Sequence, residues 1–162
     1  MAEGARIERY LETPFGGLRI RMVNGAVTRI SFTPDRGETT FPPGTTTEPV
    51  LQQFDRYLKD PRSGFDLPLH WQGTPFQLRV WHTLLEIPVG TTSTYGEIAR
   101  RVGSSARAVG GACRANPLVL VVPCHRVVSA AGLGGFSGET GGRMLAIKRW
   151  LLTHEGALRD GA

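Results

Sequence analysis

The spacing of apolar residues changes period partway along the chain. From Ile7 to Phe32 it alternates two by two and is broken by tight turns: Ile7-Glu8-Arg9-Tyr10-Leu11, a Pro14-Phe15-Gly16-Gly17 turn, Leu18-Arg19-Ile20-Arg21-Met22-Val23, an Asn24-Gly25 hairpin signal, then Val27-Thr28-Arg29-Ile30-Ser31-Phe32. Alternation bounded by such turns predicts an antiparallel sheet of about three strands. Residues 35–47, rich in Gly, Pro and Thr, read as a loop. Val50, Leu51, Phe54, Tyr57 and Leu58 then recur at helical spacing between Glu48 and Lys59, a helix that should pack on the sheet. Pro61 to Gly64 stops it, and Phe65 to Leu69 is a short extended piece. Gln72-Gly73-Thr74-Pro75 has the look of a border, with proline placed at a helix start.

Past that border the period is helical. Phe76, Val80, Trp81, Leu84 and Leu85 form a core-facing stripe on a helix from Pro75 to Glu86. His82 on that helix is given no role. Thr94-Tyr95-Gly96-Glu97 has the form of a capping box and starts a helix running to Val102. Gly103-Ser104-Ser105 ends it and caps the next, Ala106 to Ala115, so the pair forms a helix-turn-helix unit. The second helix holds Gly110 and Gly111, each costing about 1 kcal/mol relative to alanine, which implies a backbone that must lie close to something. After Asn116-Pro117 the run Leu118 to Val122 reads as a buried strand. Ser129 to Gly142 is a glycine-rich loop. Arg143 to His154 is a final helix with Leu145, Ile147, Trp150, Leu151 and Leu152 on or near its buried side, and Ala157 to Ala162 a frayed tail. The fold class expected is α+β: a small N-terminal antiparallel sheet with a helix over residues 1–72, and a mainly helical C-terminal domain over 73–162.

Chemistry concentrates at Pro123-Cys124-His125-Arg126, where a thiol and an imidazole adjoin after the apolar run. A basic neighbour can make a cysteine mostly thiolate, but an isolated cysteine in an apolar chain is more often a small buried hydrophobe. Neighbouring residues of an extended strand face opposite ways, so His125 can reach the sulfur only across a bend or through a water. Cys113 and Cys124 are the two cysteines, and neither stands in a C-x-x-C pair. That excludes a disulfide framework and a cysteine-built structural zinc site, and leaves Cys124 free and reduced. A net charge of +5 suits a polyanionic partner. Arg100, Arg101, Arg107, Arg114 and Arg126 all fall in the segment that holds the Cys-His pair, where acidic residues are sparse. With no apolar run long enough to span a bilayer and no basic-then-apolar N-terminus, a soluble cytoplasmic protein is expected.

The stretch Arg107 to Pro117, followed by the apolar run and Pro123-Cys124-His125-Arg126-Val127-Val128, closely resembles the O6-alkylguanine-DNA alkyltransferases. Tyr95, the Gly134-Gly135-Phe136-Ser137-Gly138 loop and Leu151-Leu152-Thr153-His154-Glu155-Gly156 extend the likeness in the family's order; it is dense in the second half and only an outline in the first. The resemblance implies a ribonuclease-H-like N-terminal domain and repair of double-stranded DNA bearing O6-alkylguanine, with O4-alkylthymine as a further substrate. The alkyl group passes irreversibly to Cys124, once per molecule, with no cofactor and no metal. It implies that His125 takes the thiol proton through a water, Glu155 orients the imidazole and Asn116 braces the turn. The Tyr95 hydroxyl would meet the base, with Ser137, Phe136 and Val127 around it. The second helix would enter the minor groove through Arg107, Ala108, Gly110, Gly111, Ala112 and Arg114, with Arg107 filling the gap left by the flipped base. The expected state is a monomer in solution, with cooperative association on DNA as an added expectation. Zinc sites of some family members use N-terminal cysteines, which are absent here. Two rivals are a DNA-binding relative without chemistry, which lacks the cysteine, and a Cys-His hydrolase acting on acyl groups.

Overall fold

The computed structural model describes residues 6–34, 40–41, 48–134 and 142–158. The chain divides into two compact units, one of residues 1–71 with 117–119, the other of residues 72–116 and 120–162.

In the first unit, β1 (Arg6–Thr13), β2 (Gly16–Val23) and β3 (Ala26–Thr33) pair antiparallel, and the order is β3-β2-β1-β4. The β2–β3 turn places Asn24 and Gly25 both at positive φ (54° and 80°), which is why that dipeptide makes the tightest hairpin. Leu11, Leu18, Ile20, Met22, Val27 and Ile30 are buried together on one face. Over the other, Glu8 is paired with Arg19 and Arg21. The fourth strand, β4 (Thr40–Phe41), runs parallel to β1 inside the stretch read as a loop, whose other residues lie outside those described. Helix α1 (Pro49–Lys59) buries Leu51, Phe54 and Tyr57, and Phe65 stacks on Tyr57 with ring centroids 5.5 Å apart.

The second unit contains α2 (Pro75–Leu84), β5 (Ser93–Thr94), α3 (Tyr95–Val102), α4 (Ala106–Arg114), β6 (Val127–Val128) and α5 (Gly142–His154). The reciprocal capping box belongs to α2, where Thr74 and Gln77 satisfy each other's backbone donors. Leu85 caps the C-terminus of that helix and is 44% exposed, so the expected stripe ends one residue early. Thr94 caps α3 and Ser105 caps α4. Gly103 at φ 71° makes the left-handed turn between them. Buried Trp81 donates its indole N–H to the Ala112 carbonyl at 2.8 Å, tying α2 to α4.

Two expectations need correction. Leu118 to Val122 is buried except at half-buried Val121, but is no strand: Leu118 bridges to Ile30 within the first unit, and the chain then turns through Leu120 at φ 74°. A short apolar run reports burial, and burial does not require extension. Cys124 therefore follows a turn, and opens a one-turn 3-10 segment over Cys124–Arg126. At the far end, the amides of Ala157 and Leu158 both donate to the Leu152 carbonyl, so the described part of the tail is held rather than frayed. The loop residues 135–141, with Phe136 and Ser137, lie outside those described.

Candidate alkyl-acceptor site

The 3-10 turn exists because Pro123 cannot continue a ladder, and the Arg126 amide closes back on its carbonyl at 3.0 Å. It buries Cys124, 3% exposed, and His125, 0% exposed, side by side in sequence. Past the turn, β6 pairs parallel with β5, Val127 against Ser93 and Val128 against Thr94. Since Thr94 caps α3, this pairing brings the start of α3, and hence Tyr95, beside the acceptor turn.

His125 Nε2 lies 2.8 Å from Glu155 Oε2 at the end of α5. Arg126 grips the same carboxylate, Nε to Oε1 at 2.8 Å and Nη2 to Oε2 at 3.2 Å, while its Nη1 donates to the Ile87 carbonyl at 2.8 Å. Burial opposes a charge on Glu155, but the hydrogen bonds and charges of His125 and Arg126 overcome it and hold the carboxyl well below the usual carboxylate range. Burial likewise pushes His125 down, against the pull of Glu155, so the imidazole rests neutral. With Glu155 ionised, Nε2 carries the proton and donates it, leaving Nδ1 as the acceptor. Nδ1 is buried without a hydrogen-bond partner among the described residues.

Burial also pushes the Cys124 thiol up, while the Asn116 side chain and the charge of Lys148 draw it back. The resting group is the thiol. The simple expectation that a basic neighbour makes it thiolate fails, because His125 is neutral and Arg126 is bound to Glu155. Asn116 is no helix cap, since Ala115 holds that place; it is buried and donates to the Val122 carbonyl at 2.9 Å, bracing the turn from behind. Tyr95, pushed up to about 12 mainly by burial, keeps its phenolic proton. A Cβ on Gly134 would stand 3.2 Å from the Tyr95 ring, so that loop end comes close to Tyr95 only because it carries no side chain. Val127 is fully buried beside them.

Helix α4 sorts the expected DNA contacts. Arg107, Gly111 and Arg114 are exposed, and Ala108 and Gly110 are half-buried. Ala112 is 3% exposed and its carbonyl holds Trp81, so it belongs to the core, not to the outward side. A Cβ on Gly110 or Gly111 would meet nothing within 4 Å. Packing within the described protein therefore does not account for the two glycines. Of the clustered arginines, Arg126 is engaged by Glu155 and Arg101 pairs with Glu86, which removes the first from any outward surface.

One site residue escaped the sequence reading. Lys148 is 0% exposed on α5, donates to the Val127 carbonyl at 2.7 Å and stands 5.9 Å from the Tyr95 ring centroid. Its signal was a lysine interrupting the stripe Met144, Ile147, Leu151 and Leu152. Among the described residues no cluster of His, Cys, Asp and Glu could hold a metal, and no helix is long and apolar enough to cross a membrane.

The second unit thus joins a helix-turn-helix with a small-residue second helix to a buried cysteine and a buried histidine–carboxylate pair, the layout of a DNA-binding domain that carries a thiol in its core. Residues 75–157 match the family model described as 6-O-methylguanine DNA methyltransferase, DNA binding domain. The methylated-DNA–protein-cysteine methyltransferase of Mycobacterium tuberculosis H37Rv is 39% identical over 138 residues, covering 80% of this chain and 83% of its own. A Thermus thermophilus protein named DNA base-flipping protein is 38% identical over 157 residues, covering 92% and 99%. The crystal structure of Mycobacterium tuberculosis OGT in complex with DNA superposes with a TM-score of 0.77 at 36% identity, covering 93% of this chain and 92% of that one. The chain belongs to the methylated-DNA–protein-cysteine methyltransferase family.

Proposed function

We propose that this chain repairs DNA by taking the alkyl group from O6 of guanine, and from O4 of thymine, irreversibly onto Cys124. What supports the reading is a buried Cys124 adjoining in sequence a buried His125–Glu155 pair whose Nδ1 has no partner among the described residues, with the protonated Tyr95 hydroxyl near the sulfur.

Alkyl on O6 is out of reach inside a duplex, so the nucleotide leaves the stack at a cost of a few kcal/mol, least where pairing is already damaged. Helix α4 lies in the minor groove with Gly110 and Gly111 against the backbone, and Arg107 occupies the gap. Groove readout there is nearly blind to sequence, which suits a search for lesions in any context. Once the base is in the pocket, His125 Nδ1 takes the Cys124 proton through one bridging water. The S–C bond forms as the C–O6 bond breaks, and the electron pair goes to the purine. By the family resemblance, the Tyr95 hydroxyl meets the charge at N3 and the Ser137 region meets it at O6. Glu155 stabilises the imidazolium, and Arg126 keeps Glu155 ionised while it does so. The product is a thioether, which no group in the site can hydrolyse, so each molecule reacts once. We take the protein to act as a cytoplasmic monomer on duplex DNA, in residue blocks 1–72 and 73–162.

The Thermus relative's name describes base flipping and names no transfer, and the presence of Cys124 here is what favours transfer. Intact mass after incubation with duplex containing O6-methylguanine tests this: one added methyl at Cys124, and none in Cys124→Ala. An unmodified, folded and reduced wild-type protein refutes transfer.

A further inference from the structure

The outward face of the N-terminal sheet carries more positive charge than its own carboxylate answers, and burial on the other face is the cause. Val27 and Ile30 are three residues apart, yet both lie in the core, Val27 opposite Met22 and Ile30 opposite Ile20. Simple alternation puts residues three apart on opposite faces, so β3 takes in one extra residue and the register shifts between Arg21 and Met22. The shift turns Arg29 outward, directly opposite Arg21, where an unbroken ladder would have set it inward against Ile20. Like charges directly opposite on neighbouring strands disfavour pairing.

One carboxylate serves this cluster. Glu8, the β1 partner of Arg21, accepts the Tyr10 hydroxyl at 2.9 Å on Oε1 and Arg21 Nε at 2.8 Å on Oε2. Arg19 Nε stands 3.3 Å from Oε1 without a hydrogen bond, and its guanidinium lies over the Tyr10 ring, 5.1 Å from the centroid. Arg29 is exposed and makes no ion pair among the described residues. Arg19 and Arg21 lie two positions apart on β2, about 7 Å along the strand. Three guanidinium groups thus stand together on paired, rigid backbone. Such a group offers a phosphate two parallel N–H donors. A lipid surface would favour apolar side chains beside the charges, but exposed Ile7 lies on the opposite face, across from Met22.

We propose that this face, through Arg19, Arg21 and Arg29, is a second surface for duplex DNA, holding phosphates other than those met by α4. It goes beyond the repair reaction proposed above and rests on that reading only for the choice of polyanion. Phosphate contacts carry no sequence information, so the face raises affinity for DNA of any sequence without selecting lesions.

Arg21→Gln combined with Arg29→Gln removes two charges, and Arg21→Lys combined with Arg29→Lys keeps them. The readout is fluorescence titration of an undamaged duplex of three helical turns over a series of salt concentrations. Melting curves control for the fold, and intact-mass methylation by an excess of O6-methylguanine duplex controls for the acceptor site. Each phosphate contact contributes a slope of about 0.9 in log affinity against log salt, so the glutamine pair should flatten the slope by nearly two contacts' worth and weaken binding about tenfold at low salt. The lysine pair should stay close to wild type. Arg29→Gln alone should melt no lower than wild type, because it relieves the opposed pair. Methyl uptake from excess duplex should be unchanged throughout. A glutamine pair with the wild-type slope and affinity overturns the proposal, and so does a lysine pair as weak as the glutamine pair. Loss confined to binding of phosphatidylglycerol vesicles overturns it as well, in favour of a membrane contact. Wild-type protein that shows the steeper slope but takes no methyl sinks the transfer reading instead and leaves this surface standing.

Discussion

Replacing Glu155 with Gln removes a charge and leaves the shape. In the native site its two oxygens accept from His125 Nε2 and from two nitrogens of Arg126, at 2.8, 2.8 and 3.2 Å, and its side chain is wholly buried. The amide in its place turns two N–H groups toward donors and leaves the Arg126 guanidinium buried without its counter-charge. Removing one partner of a buried pair costs about 3–5 kcal/mol. For a chain of this size each kcal/mol moves the midpoint by about 2–4 °C, so the variant should melt on the order of 10 °C lower. The cost falls largely on the orphaned cation. Arg126→Met added to Glu155→Gln should therefore recover much of the loss, with a coupling of about 2 kcal/mol in a double-mutant cycle. Transfer should not recover, because His125 still lacks the anion that steadies its imidazolium; a loss of at least about 100-fold is expected in both. Circular-dichroism melts and the rate of methyl uptake by intact mass read the two effects apart. A single variant losing less than about 1 kcal/mol, or a double variant as unstable as the sum of the singles, would refute the clamp.

Acid supplies a second test of the same carboxylate. Its folded value is depressed, so its contribution to stability is fully present above the ordinary carboxylate range and is lost as pH falls toward the folded value; the gap in melting temperature between wild type and Glu155→Gln should narrow below about pH 4. Lys148 has the opposite sign. Because its folded value is lowered to about 8, its burial penalty is full at neutral pH and relieved as pH rises from there toward its free value, so Lys148→Met should melt above wild type at pH 7 with the difference closing by about pH 10. Gly111→Ala, with nothing within 4 Å of the new methyl, should stabilise the protein by up to about 1 kcal/mol yet weaken DNA binding in a fluorescence titration; unchanged affinity would mean that α4 does not approach DNA through that residue. At Gly73, by contrast, a Cβ would lie 2.5 Å from the Trp81 ring, and Gly73→Ala should cost about 1–3 kcal/mol in a urea titration.

Local chemistry was enough for much of this molecule. Asn24-Gly25 announces a hairpin, Thr94 and Ser105 announce helix starts and Gly103 a left-handed stop, because each acts on backbone within a few residues of itself. Cys124, His125, Glu155 and Asn116 could be named from their likeness to a family, though not the state of any of them. Whether Leu118 to Val122 runs straight, whether Ala112 faces in or out, and whether Arg126 serves DNA or a carboxylate all depend on partners 20 or more residues away or on a turn that the run itself does not encode. The same holds for ionisation. A basic neighbour in the sequence argues for a thiolate, and burial reverses the argument, leaving a thiol. Short-range steric and hydrogen-bonding preferences are written residue by residue, whereas desolvation and charge pairing exist only once distant segments have closed around a group. Lys148 is the plainest case, since alone in the sequence it reads as one more surface cation and only folding puts it against Val127 and Tyr95.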